Sequence, residues 1–320
     1  MKKDLGIFAL LVALCIITAS QNHSFLSPTN LTNLANIIGL FGIFSIGTGL
    51  IIITGGIDLS VGSMIALTGV LLAMALREWH WPWPLAALFI IVVPMILGWI
   101  HGWLITRLNI QPFIVTLCGL LLYRGLARFI AHDTTKGFGD ASGFETLANL
   151  ARGKLFGLPM PFVLLLIVGV IMWFVLHRSV YGRYLFAVGR NEEATRFSGI
   201  NTRMVIAGSY VVGGLLTGIS GILFAFYTNS VSPSTHGTFY ELYGIAAAVL
   251  GGCSLRGGEG SIIGIVIGTA LLQVLQNLVN LLGIDSSLNF SVMGAVVLAG
   301  VIADQLFQKY TAKKLARQPK

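Results

Sequence analysis

Apolar stretches long enough to cross a bilayer recur along almost the entire chain. Spanning the hydrocarbon takes about 20 predominantly apolar residues in a helix. Ten candidate stretches can be drawn, at approximately 5–20, 37–54, 60–76, 84–105, 112–131, 160–177, 204–227, 241–254, 261–282 and 288–304. Between them no polar block is long enough for a separate soluble domain. The 320 residues are therefore expected to form a single transmembrane domain, 1–320. The fold class predicted is all-α, a polytopic helical bundle of about ten transmembrane helices. The eighth stretch is short and the third begins in a glycine-rich segment, so one or two of the helices are expected to be broken or re-entrant. Composition agrees, with 55% hydrophobic and 10% charged residues and a mean hydropathy of +0.85, far from the usual make-up of a soluble domain.

The net charge of +8 in a soluble protein would suggest nucleic acid. Here the basic residues collect at the chain ends and in one central loop, which is a topological signal, not a binding one. With the N-terminus inside, fourteen Lys and Arg fall on the cytoplasmic side and six on the other face or in spans. Both termini and the 178–203 loop are then cytoplasmic, and 132–158 is periplasmic in a bacterial inner membrane. The stretch MKKDLGIFALLVALCIITAS has signal-peptide features, but an uncleaved first span fits this topology better. Membrane lipid is thus one expected partner; nucleic acid is not. Cys15, Cys118 and Cys253 are odd in number and far apart, and the histidines show no paired spacing, so neither a disulfide framework nor a metal site is expected. Trp79, Trp81 and Trp83 suit an interfacial anchor, and SPTNLTNLANII reads as a helix start with Ser27 as cap and Pro28 in the first turn.

Small residues four apart, Gly98 and Gly102, Gly214 and Gly218, Gly264 and Gly268, let helices approach closely, and packing within one bundle is the preferred reading of each pair. Two further glycine-rich stretches carry polar groups. In TGGIDLSVGSM, Gly55 and Gly56 can end one helix while Asp58 or Ser60 caps the next. A carboxylate this close to hydrocarbon usually faces a cavity, a partner or water, so Asp58, Ser60 and Ser63 are candidates for a translocation path as well as for a helix break. The second stretch, LGGCSLRGGEGSIIG at 250–264, echoes the first and suggests an internal repeat, with halves at about 37–131 and 204–304. Neither contains GxxxxGK[ST], so no phosphate cradle of that type is present. No constellation of nucleophile, base or metal ligands appears, and no catalytic residue is assigned.

In the basic loop, Asn191 is a good N-cap, Glu192 and Glu193 favour the positive end of a helix dipole, and Gly199 is a natural stop. The expectation is a helix of about two turns, too short to persist alone in water. Ala194 and Phe197 offer an apolar face for a partner, with Arg196 beside them; a helix lying on the lipid interface is the alternative.

TGGIDLSVGS, IQPFIVTLCGLLLYRGLA, AVGRNEEATRFSGIN and LGGCSLRGGEGSIIG together resemble the shared motifs of bacterial ABC-importer permeases of the ribose, xylose, arabinose and autoinducer-2 type, in order and over nearly the whole chain. The resemblance implies that the segment at 190–201 couples the permease to a separate ATP-binding subunit. It also implies a periplasmic binding protein that delivers solute and a second permease copy or paralogue. ATP and Mg²⁺ then belong to the ATPase partner, and no cofactor is expected on this chain. Many members have two alanines where this chain has Ala194 and Thr195, a small departure. The motifs do not separate a pentose or hexose from a deoxy sugar, autoinducer-2 or a nucleoside. An ion-coupled secondary transporter is the rival from a different class, and it would need buried acidic or histidine relays.

Overall fold

The computed structural model describes residues 2–140, 142–285 and isolated positions between 288 and 302. The tenth candidate span, 288–304, and the basic C-terminal tail fall largely or wholly outside the described residues. Each of the nine other candidate spans is a helix. In chain order these are α1 (Lys2–Gln21), α2 (Pro28–Ile53), α3 (Val61–Arg77), α4 (Trp83–Leu108) and α5 (Pro112–Ile130); after a short helix α6 (Glu145–Arg152) come α7 (Met160–His177), α8 (Val180–Arg190), α9 (Glu192–Phe197), α10 (Thr202–Thr228), α11 (Tyr240–Leu250) and α12 (Ile262–Leu281). Six of them, α2, α4, α5, α7, α10 and α12, are long and apolar enough to cross a membrane unaided.

Successive spans run up and down, so the loops sort to two ends. One end gathers the α2–α3 break, the α4–α5 turn, the α8–α9 segment and the α11–α12 loop; it carries Arg107, Arg178, Arg183, Arg190, Arg196, Arg203 and Arg256 and is called the basic end below. The opposite end carries the Trp79–Trp83 loop, α6 and four two-residue strands. Of these, β1 (Lys136–Gly137) pairs with β4 (Ser230–Val231), and β2 (Lys154–Leu155) pairs with β3 (Leu158–Pro159), both antiparallel. These short strands were not anticipated from the hydropathy pattern; they brace loops and leave the fold all-α.

Ser27 starts α2 as expected: its hydroxyl accepts the Asn30 amide at 3.3 Å, with Pro28 at the first helical position. α2 is the axis of the bundle. In its most apolar stretch 78% of residues are buried, against 22% in α4 and in α7. Ile43, Ile46, Leu50 and Ile53 are fully enclosed, whereas Leu121, Phe129, Ile171 and Phe174 on α5 and α7 face outward, where hydrocarbon tails solvate them.

The small-residue pairs act within the molecule. A methyl group on Gly98 or Gly102 would collide with Tyr210 or Ala207 of α10, and one on Gly214 or Gly218 with the Pro94 or Ile90 region of α4. All four glycines thus line one α4–α10 contact, the most extensive in the bundle. Pro94 cannot donate to the Ile90 carbonyl, and the bare Gly218 lets α10 cover that carbonyl and keep it from lipid. Gly268 plays the same part against Ala247 between α11 and α12, and Gly264 lies under Gly251.

α11 has 11 residues, about 17 Å of helix, too short to span. The segment before it completes the crossing. Arg124, midway along α5, donates from Nη1 to the carbonyls of Pro233 and His236 at 3.1 and 2.7 Å, supplying partners that non-helical backbone at this depth requires.

Candidate functional site

At the basic end the chain between α2 and α3 is held from several directions. Gly55 takes φ +83°, a left-handed conformation that favours glycine. The Ile57 carbonyl then accepts hydrogen bonds from the Tyr210 hydroxyl of α10 at 3.2 Å and the Thr116 hydroxyl of α5 at 3.3 Å. Asp58 is 4% exposed, and its Oδ1 accepts both the Ser60 amide at 2.8 Å and the Ser60 hydroxyl at 2.6 Å. The Ser63 hydroxyl donates to the Ser60 carbonyl at 2.8 Å.

Ser60 occupies the cap position of α3, yet its side chain makes no cap bond. This corrects the expectation that Ser60 might cap α3, and the reason is geometric: its backbone is helical, at φ −87° and ψ −10°, not extended as a capping residue's is, and its side chain is turned toward Asp58. Asp58 takes the Ser60 amide, closing a tight local ring at the start of the helix. The three polar side chains are turned onto the break itself. Asp58 also lies within electrostatic reach of His101, Tyr123, Tyr210 and Glu241, and the His101 ring bonds to the Tyr123 hydroxyl at 2.7 Å.

The echoing loop at 251–261 is brought against this break. The Gly258 amide donates to the Ile53 carbonyl at 2.8 Å, tying the loop to the last residue of α2. A methyl group on Gly257 would lie 2.9 Å from the Gly55 nitrogen and 2.8 Å from the Gly189 carbonyl. Unlike Ser60, Ser261 does cap its helix, accepting the Gly264 amide at 3.3 Å. Cys253 is enclosed in this loop.

The third component is the α8–α9 segment. α8 is an amphipathic helix of 11 residues, capped by the Ser179 hydroxyl on the Gly182 amide at 3.1 Å. It buries Gly182, Leu185 and Val188, and Tyr181 donates to the Val205 carbonyl of α10 at 3.1 Å. At its far end Gly189 sits where any side chain would strike the Ile53 carbonyl and the Gly258 amide. α9 follows with six residues. Asn191 caps it through Oδ1 on the Ala194 amide at 2.9 Å, and Gly199 ends it at φ +83°. Thr195 is buried inward, whereas Ala194 is exposed and Phe197 is 79% exposed. The Arg196 guanidinium lies 5.8 Å from the Phe197 ring centre, and Glu192 accepts from the Thr202 hydroxyl at 3.2 Å, fastening α9 to the start of α10.

Comparison with known proteins matches residues 30–301 to the family described as branched-chain amino acid transport system / permease component. The chain belongs to this permease family. Its relatives include the ribose import permease protein of Bacillus subtilis, 38% identical over 95% of this chain and 93% of the relative. The ribose import permease protein of Escherichia coli K12 is 37% identical over 93% of this chain and 92% of its own. The D-allose transport system permease protein of the same strain is 30% identical over 94% and 91%. No solved structure matches the chain.

The permease is thus a multi-pass membrane protein, and its two sets of sequence-nominated residues, 55–63 and 191–199, meet through an intermediary. The basic stretch 177–203 holds two helices, α8 and α9, where one short helix is expected from its sequence. The missed signal was the apolar spacing of Leu185 and Val188 after a Ser179 cap. Also missed were Tyr210, Thr116 and Gly189, which hold the break from elsewhere in the chain.

Proposed function

We propose that this chain is the permease subunit of a binding-protein-dependent ABC importer for a monosaccharide or sugar-like solute. The relatives' own roles, ribose import and D-allose transport, support a sugar as cargo. On this reading separate ATP-binding subunits bind ATP and Mg²⁺ and hydrolyse the nucleotide, a periplasmic binding protein delivers solute, and a second permease copy or paralogue completes the pathway. The basic end faces the cytoplasm together with both termini, as the positive-inside asymmetry favours.

One observation carries the coupling assignment. Gly189, at the end of α8, is in backbone contact with both the α2–α3 break and the α11–α12 loop, while the adjoining α9 presents Phe197 to the outside. A push on α9 by a partner therefore reaches two helix breaks without an intervening flexible side chain. The buried group around Asp58, His101 and Glu241 is of the type an ion-coupled carrier uses, but family membership favours ATP as the energy source.

The experiment is uptake of labelled D-ribose into proteoliposomes containing the permease with its ATP-binding subunit and binding protein. Uptake is expected to require internal or external ATP on the side of the basic loop and to be indifferent to collapse of proton and sodium gradients. Uptake driven by an ion gradient without ATP would overturn the reading.

A further inference from the structure

A cavity of about 310 Å³ lies at the end of the bundle away from α8 and α9, within the size range of small-molecule sites. Its walls come from α2, α10, α11 and α12. Two chemistries line it. Phe41, Phe224 and Tyr240 form an aromatic wall, with the Tyr240 ring 4.8 Å from that of Phe41 and 4.7 Å from that of Phe224. Opposite them α12 presents Gln273, Gln276, Asn277 and Asn280, spaced i, i+3, i+4 and i+7 and so on one helical face. Among the described residues no charged side chain lines this space.

The amides differ in how they are used. Asn277 is bonded reciprocally to Asn30 at 2.8 and 3.1 Å, and Gln276 reaches the Tyr243 hydroxyl at 3.5 Å. Gln273 is 3% exposed and makes no hydrogen bond among the described residues. The Gln273 side chain lines the cavity and is not among the buried polar atoms left without a partner, so its amide reaches this space, where lipid tails could not satisfy it and a polar occupant can.

We propose that this cavity is the solute-holding site of the permease and that it takes a neutral polyhydroxylated ring, with Gln273 and Gln276 bonding hydroxyls and the aromatic wall covering the C–H face. An amide offers donors and an acceptor together, as a hydroxyl does, whereas an anion or cation would meet no counter-charge here. The walls also connect the site to the coupling end. α2 and α11 end at the loops that Gly189 contacts, so movement there displaces the far ends of helices that enclose the solute. The proposal rests on the sugar-permease reading and adds the place and chemistry of recognition.

The test uses the full complex in proteoliposomes with labelled D-ribose, D-allose and D-galactose as probes. Gln273→Leu and Gln276→Leu are each expected to cut uptake at least about tenfold, as loss of a hydrogen-bonding partner to a buried polar group does, and to alter the relative rates of the three sugars. Gln273→Asn should recover part of the rate, and copurification of the ATP-binding subunit should be unchanged throughout. Wild-type rates in both leucine variants would overturn the proposal, as would an equal reduction for all three sugars, which marks a structural role. Should Gln273→Leu fail to insert, the half-buried Gln276 decides. If the wild-type complex imports none of the sugars, the sugar reading itself fails, visibly before any variant is made, and takes this proposal with it.

Discussion

Asp58 is a carboxylate placed where water is scarce, and the structure explains how it is tolerated. Its Oδ1 receives the Ser60 amide and hydroxyl, while the neighbouring Ile57 carbonyl is held by Tyr210, 153 residues away, and by Thr116, 59 residues away. Asp58→Leu removes the acceptor and leaves two Ser60 donors buried, a cost of about 1–3 kcal/mol for each group left unpaired. The expected outcome is normal membrane insertion with lowered sugar uptake; normal uptake at normal expression would contradict a role in ordering the break. At this scale the residue type was legible, because Gly-Gly-Asp beside an apolar run announces a break. Its partners were not. Ser60 reads as a helix cap in isolation, and nothing in the local sequence discloses a tyrosine supplied by α10.

Elements were legible wherever hydropathy alone decides them, and the nine described candidate spans all became helices. The glycine pairs were read as intramolecular packing, and two of them prove to face each other across α4 and α10. A valine at Gly214 would drive its Cβ into the Pro94 carbonyl, and overpacking of this kind costs about 1–3 kcal/mol. Gly214→Val should therefore lower the melting temperature of the detergent-solubilised permease. Gly125→Ala, where an added methyl meets nothing within 4 Å, serves as the control, and an unchanged Tm in both would deny the interface its importance. What escaped was any element whose signal is not length. α8 buries a narrow stripe in a basic stretch, and the amide face of α12 is diluted within an apolar span, so each is visible only at helical spacing and not in an averaged window.

For the molecule as a whole, the arrangement is a bundle with a polar, aromatic-walled cavity at one end and a stack of three backbone segments at the other. α2 joins them, its buried length running from the cavity wall at Phe41 to the Ile53 carbonyl under Gly189 and Gly258. If the basic loop is the port through which an ATPase acts, the contact is made by the exposed face of α9. A charge at Ala194 without a partner should weaken such a contact by a few kcal/mol, a hundredfold or more in affinity. The direct measurement is copurification of the ATP-binding subunit with Ala194→Asp, followed by sugar uptake, with Phe156→Ala at the opposite end as control. Ala194→Asp is expected to insert and fold, to lose the ATPase subunit and to import nothing, while the control keeps both. An Ala194→Asp complex recovered in full yield and importing at the normal rate would contradict it.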